Sequence, residues 1–380
     1  MDFSFPEIDW TPTGIVFLVF GVSALAQLLF TLLIFSRFTF HASKKNNKLS
    51  EVLPGVSIII AARNEEDNLY QNLPAVLNQK YPEFEVVVVN HQSIDDSKHI
   101  LQAYQKQYPN LKIIDIERNH HLRNGKKLPL TVGIKGAKYD HFLFTDADCV
   151  PASDNWLRLM AGKFSDRHQL ILGYGPYSKA KGFLNFIIRF DTTFIATNYF
   201  AFAASGFPYM GVGRNMAYTR QLFDSVQGFK KHYAIQSGDD DLFVKDVAKK
   251  RNYTIQFHPD SYCYSEGKTS WKKWFEQKQR HYTTSSSYKV FHKLLLGIYP
   301  FTLLVMLVTF VSLIFNKEYW LWSSMIFGGV IILKWIFQGI NFGKLGEKRM
   351  AFALPLLEIM YAVLLPIIYY SGDKNEQQWK

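Results

Sequence analysis

The feature that most limits what this chain can fold into is a set of stretches as long as a bilayer is thick. Gly14 to Phe35 holds 22 residues with no charge and only Gln27 as a strongly polar one, enough to cross a hydrocarbon core of about 30 Å as a helix. Leu294 to Phe315, Tyr319 to Ile340 and Ala351 to Tyr370 have the same character, the last two interrupted by Lys334 and Glu358. Four transmembrane helices are therefore expected, at 13–36, 294–315, 319–340 and 351–370, and a simple soluble enzyme is not. A signal peptide is the competing reading of the first stretch. Such a peptide needs a positive start, whereas the first twelve residues carry Asp2, Glu7 and Asp9 with no Lys or Arg, and the apolar run continues past Ala24 to Ala26.

Charge gives the expected orientation. Of 43 Lys and Arg, 36 lie between Arg37 and Lys293. Arg37, Lys44, Lys45 and Lys48 follow the first span, Lys289 and Lys293 precede the second, and Lys344, Lys348 and Arg349 separate the third from the fourth. The positive-inside rule then puts the tail 1–12 outside, the linker 37–50 and the long middle segment in the cytoplasm, and a tail 371–380 after the last span. The expected setting is a bacterial inner membrane crossed several times. A net charge of +11 reads as attraction to anionic membrane lipids. Nucleic acid is not an expected partner, since no basic-aromatic binding motif occurs. Lys334 and Glu358 admit two readings: an intramembrane functional pair, as in a transporter, or a pair between neighbouring helices.

The middle segment reads as α/β. Val56–Ala62, Glu85–Asn90, Leu111–Ile116 and His141–Thr145 are short apolar runs suited to buried strands, with helical stretches at Asp95–Gln107 and Lys126–Ala137 between them. This alternation predicts a mostly parallel, Rossmann-like sheet covered on both faces over 51–266. Ligands then belong at the carboxyl ends of the strands, where polar residues cluster: Arg63 to Glu66, Asn90 to Ser93, and Asp146-Ala147-Asp148. Two carboxylates two residues apart at a strand end can approach one hard cation, Mg²⁺ or Mn²⁺. An ordinary Asp-rich turn is the alternative. Cys149 and Cys263 are the only cysteines, too few for a zinc site of their own.

Several motifs occur in one order: Val56-Ser57-Ile58-Ile59-Ile60-Ala61-Ala62-Arg63-Asn64-Glu65-Glu66, then Gly125-Lys126, Asp146-Ala147-Asp148, Gly213-Arg214-Asn215-Met216-Ala217-Tyr218, Gly238-Asp239-Asp240-Asp241-Leu242, and Gln277 with Arg280. Together they resemble the inverting family 2 glycosyltransferases over about Pro54 to Tyr282. The resemblance implies a GT-A fold, a nucleotide-sugar donor and a divalent metal. Carried over, it places Ala62, Asn64, Glu65, His91, Ser93, Lys126, Asp146, Gln277 and Arg280 at the donor, Asp148 with Asp146 at the metal, and Gly213 and Asn215 at the acceptor. Asp240 falls at the catalytic base, with Asp239 beside it; a one-residue slip to Asp239 or Asp241 stays open, and so does a plain helix start with favourable negative charge.

Two elements depart from the family pattern. Asn90-His91-Gln92-Ser93 stands where relatives have Asp-Asp-x-Ser, so a uracil partner is replaced by a histidine that accepts a hydrogen bond only when neutral. In Gln277-Lys278-Gln279-Arg280-His281 a histidine replaces the tryptophan that forms a stacking platform. The segment 267–293 also reads as an amphipathic interfacial helix, because Trp271, Trp274 and Phe275 are mixed with Lys272 and Lys273.

The function expected is transfer of a sugar from a UDP- or GDP-sugar to a lipid-linked or glycan acceptor, in glycolipid or cell-surface polysaccharide synthesis. A processive synthase working as a homo-oligomer or with an export subunit is the nearer alternative. An inactive glycosyltransferase-like membrane scaffold is the other.

Overall fold

The computed structural model describes residues 10–42, 53–119, 125–235, 237–249 and 251–371. Most of the expected external tail, the linker lysines Lys44, Lys45 and Lys48, and nearly all of the tail 371–380 lie outside the described residues. The described chain divides into two compact units, one drawn from 10–41 with 289–371 and the other from 42–288.

In the first unit, four helices are long and apolar enough to cross a membrane, at Pro12–Thr39, Val290–Leu313, Trp320–Lys344 and Lys348–Ser371. Thr11 caps the first by accepting from the Gly14 N–H at 3.2 Å, and Pro12 takes the first helical position, where a missing N–H costs nothing. The helices meet through Phe17, Phe20, Leu303, Met306 and Val330. Outward they present Leu33, Phe301, Val308 and Ile332, each more than half exposed, a surface suited to hydrocarbon.

Lys334 and Glu358 pair with each other at 3.2 Å, both buried. Lys334 also donates to Gln27 at 2.6 Å, and Tyr299 donates to Glu358, so each of the four helices contributes one polar side chain to a single cluster. The geometry is that of the helix-to-helix pair. Lys334→Met is expected to destabilise this unit by about 3–5 kcal/mol, because Glu358 is left buried without its partner, whereas Lys334→Met with Glu358→Gln should recover most of the loss. Thermal unfolding in detergent checks the order; equal loss in both variants would refute it.

Among its described residues the second unit has nine strands: β1 Val56–Ala62, β2 Phe84–His91, β3 Leu111–Ile116, β4 His141–Asp146, β5 Cys149–Pro151, β6 Leu170–Leu172, β7 Met216–Thr219, β8 Tyr253–Ile255 and β9 Cys263–Ser265. Seven form one sheet in the order β3-β2-β1-β4-β7-β6-β8. Pairing is parallel from β3 through β4, and β7 alone runs against its neighbours. β5 and β9 make a separate antiparallel pair. The four apolar runs of the sequence are the four parallel strands, displaced at their ends by one residue at most; β1 is buried along its whole length.

Side chains alternate across the sheet. Ile58, Ile60, Val86 and Val88 join Leu69, Leu73 and Val76 of the helix Glu66–Leu77 in one core. On the opposite face the helix Lys127–Gly136 rides close on β1, since a Cβ at Gly133 would lie 2.8 Å from Ile59 Cγ2. Lys126, just before this helix, reaches Asp146 at the carboxyl end of β4. The reversed direction of β7 opposes Met216 to Phe144, so Gly213 to Asn215 arrive at the same edge.

Candidate active site

The loops after β1 and β2 are tied together. Asn64 donates its N–H to Ser93 Oγ at 2.9 Å and accepts from the Ile94 N–H at 2.9 Å. Glu65 N–H reaches Ser97 at 3.1 Å. Asn64 and Gln92 adopt φ of 52° and 57°, a left-handed backbone that non-glycine residues seldom take and that clusters at functional sites. Ala62 and His91 are buried at the ends of their strands. Burial first, and the Arg63 cation second, push the His91 imidazole down to about 4, so it is neutral at pH 7.

At the end of β4, Asp146 meets Lys126 at 2.7 Å. Burial opposes the Asp146 charge, but Lys126, with Arg214 and Arg280 behind it, wins and holds the carboxyl below its usual range. Asp148 accepts from the Cys149 thiol at 3.3 Å and from Ser265 at 3.4 Å. Ligand atoms of Asp146, Asp148 and Cys149 all lie within 4.8 Å of one another. The two carboxylates suit a hard cation. Cys149 suits it less, because burial and then Cys263 push its thiol well up.

The acid triplet is three different environments. Asp241 accepts from Thr284, from Tyr288 Oη at 2.7 Å and from the Leu242 N–H at 2.7 Å. Asp240 caps the helix Asp241–Val247, taking the Asp241 N–H on one oxygen at 2.8 Å and the Gly213 N–H on the other at 3.0 Å. Asp239 stands in the field of Lys126 and Asp146. Burial, then Asp240, push it up to about 6, and Lys126 only partly offsets them. Burial, then Asp241, push Asp240 up to about 6 as well.

Asn215, expected at the acceptor, is fully buried. Its amide nitrogen donates to Tyr174 O at 2.7 Å and Ser261 O at 2.8 Å, and its oxygen accepts from Trp156 Nε1 at 3.0 Å. Every strong hydrogen-bonding direction of the amide but one is taken inside the fold, so it bolts three segments together. Gly213, by contrast, sits directly against Asp239 and Asp240.

On the helix Trp271–Tyr282, Gln277 donates to Tyr177 Oη at 3.1 Å, and Arg280 is near enough to lower Asp146. His281 is exposed. Trp274 and Lys278 are buried while Trp271 is 44% exposed, so the helix turns much of its aromatic face inward. A buried ion pair, Lys278 with Asp191 at 2.8 Å, holds it to the helix Phe183–Ala204.

Arg214 and Tyr177 were not foreseen. The Arg214 guanidinium lies 4.4 Å from the Tyr177 ring centre and donates to Gly175 O at 2.8 Å. The signal for Arg214 was present, as the charged centre of an otherwise neutral motif. Tyr177 has no signal in the sequence.

Residues 16–379 match the model of glycosyl transferase family 21. The chain belongs to that family. Among curated relatives, this family 21 glycosyltransferase is 27% identical over 239 residues to the probable glycosyltransferase YdaM of Bacillus subtilis, covering 60% of this chain and 54% of that one. It is 34% identical over 100 residues to a poly-beta-1,6-N-acetyl-D-glucosamine synthase of Staphylococcus epidermidis, covering 26% of this chain and 23% of that protein. The chain thus spans about half or less of these relatives. Among solved structures, the mannosyltransferase PcManGT of Pyrobaculum calidifontis, in complex with GDP-Man and Mn²⁺, superposes with a TM-score of 0.57 at 16% identity, over 92% of this chain and 99% of that one. The family 21 chain therefore has the GT-A fold.

Proposed function

We propose that the chain is a membrane-anchored inverting glycosyltransferase, as the family 2 motifs imply, moving one sugar from a UDP- or GDP-sugar to a hydroxyl of a lipid-linked or membrane-proximal acceptor. One observation carries the reading: Asp146 and Asp148, the cations Lys126, Arg214 and Arg280, and the acid Asp239 converge on the carboxyl end of β4. Asp146 and Asp148 would hold Mg²⁺ or Mn²⁺, which when bound neutralises charge on a departing nucleoside diphosphate. Arg280 offers planar donors to phosphate oxygens. Neutral His91 accepts a hydrogen bond at the base edge of the donor.

The base is assigned to Asp239 in preference to Asp240. Both Asp240 oxygens already accept from backbone N–H groups, and Asp241 is held by Thr284 and Tyr288. Asp239, raised by its surroundings toward neutrality, is poised to take the acceptor proton as its oxygen attacks the anomeric carbon.

A processive synthase, as an oligomer or with an export partner, draws on the similarity to the poly-N-acetylglucosamine synthase. Single transfer ranks ahead, since four spans make a modest pore wall. The scaffold reading is opposed by the retained acids. Purified chain in lipid discs, given a panel of nucleotide-sugars with and without Mn²⁺, tests the class: metal-dependent release of nucleotide supports it, and no release from any donor rejects it.

The lysine and arginine bias supports a cytoplasmic catalytic unit, in the manner of a bacterial inner-membrane protein. Both native cysteines are buried, so engineered thiols report cleanly. An impermeant maleimide added outside should label Glu318→Cys and miss His99→Cys, whose side chain is exposed. The reverse pattern would overturn the orientation.

A further inference from the structure

Lys127 follows the site lysine Lys126 yet turns to a different task. It is only 3% exposed. Its ammonium donates to three backbone carbonyls, His232 O at 2.6 Å, Ile235 O at 2.7 Å and Ser237 O at 2.7 Å. An ammonium has three hydrogens to give, and all three go to one loop. That loop runs straight into Gly238, at φ +91°, and then into Asp239.

The loop has a second fastening at its end. Ser237 Oγ lies 3.1 Å from Thr283 Oγ1 and 3.4 Å from Arg280 O, at the end of the helix that carries Gln277 and Arg280. Lys127 itself opens the helix Lys127–Gly136, seated on β1 through Gly133. The loop is thus referenced to the rigid sheet on one side and to the Arg280 helix on the other. A buried lysine is costly unless its donors are met, and a neutral side chain cannot serve three carbonyls at once. Packing alone gives no reason for a cation here, since methionine would fill similar space.

We propose that Lys127 is a positioning residue: by gripping the carbonyls of His232, Ile235 and Ser237 it sets where Asp239 stands relative to Lys126 and Asp146. Consecutive lysines then hold the two halves of the site, Lys126 on the β4 side and Lys127 on the acid-triplet side. This rests on the transferase reading above. Misplacing a reacting group by about 1 Å costs on the order of 10²-fold in rate, whereas Asn64, His91 and Asp146 stand outside this loop and the donor residue Arg280 meets it through its backbone carbonyl.

The test uses full-length Lys127→Met in lipid discs. Expected are a fall in kcat of about 10²-fold with nucleotide-sugar affinity held within about threefold, and faster hydrogen exchange at the 232–242 amides than in the parent chain. Turnover near that of the parent, donor affinity falling in step with turnover, or unchanged exchange in 232–242 would each overturn the proposal. Should Lys127→Met not fold, Lys127→Gln, which keeps donors for part of the loop, is held to the same split. The exchange measurement needs no substrate, so it judges the brace separately. The transferase reading fails instead if the parent chain turns over no nucleotide-sugar.

Discussion

Asp239→Asn is expected to lower turnover by about 10²–10⁴-fold, the usual contribution of a positioned general base, while donor affinity changes little. Asparagine keeps the size of the side chain and much of its hydrogen bonding but takes no proton. The neighbours supply the controls. Asp240→Asn should retain turnover, and it should also move the pH profile. Asp240 is, after burial, the largest influence raising Asp239, so removing its charge lowers the Asp239 carboxyl. In the parent chain kcat/KM should fall as pH drops through about 6, where Asp239 gains its proton. In Asp240→Asn that acid limb should lie at lower pH. Asp241→Asn should act on stability, since Thr284 and Tyr288 would face an amide in place of a carboxylate. An inactive Asp240→Asn beside an active Asp239→Asn would return the base to the position first read from the sequence.

Asp148→Ala should abolish metal-dependent turnover and weaken Mn²⁺ binding in the presence of nucleoside diphosphate, with the fold intact. The carboxylate lies with Asp146 and Cys149 inside one 4.8 Å cluster, and Asp146 is already engaged by Lys126. Removing Asp148 therefore leaves the cluster with a single carboxylate, and that one is engaged by Lys126. Mn²⁺ titration followed by paramagnetic resonance gives a readout independent of turnover. Full activity in EDTA, or undiminished Mn²⁺ binding by the variant, would refute the assignment.

What the sequence disclosed follows from what periodicity and charge can encode. β1 to β4 were legible because strands buried on both faces are continuous apolar runs, and the long helices because hydrocarbon demands uncharged length. β5, β6, β8 and β9, three residues each, are too short to leave a pattern. The acid triplet was found, and its register stayed open among Asp239, Asp240 and Asp241, because three adjacent aspartates carry the same chemistry until backbone donors distinguish them. Asn215 looked like a ligand contact because buried amide bolts and binding amides are spelled alike. Trp274 looked interfacial because a basic-aromatic helix can turn its rings toward lipid or toward its own protein.

The unit of long apolar helices is assembled from 10–41 with 289–371, and for a chain inserted into a bilayer, as proposed, this bears on how the protein is made. In that setting Gln27 would enter the bilayer before its partner Lys334, which stands 307 residues further along. A lone glutamine in hydrocarbon is tolerable for that interval, but a lone lysine much less so. Once the third span is synthesised, its charge has no counter-ion until Glu358 emerges in the last helix. A product that stops short of that helix would leave Lys334 without its carboxylate partner, a mark that would tell an unfinished copy from a finished one.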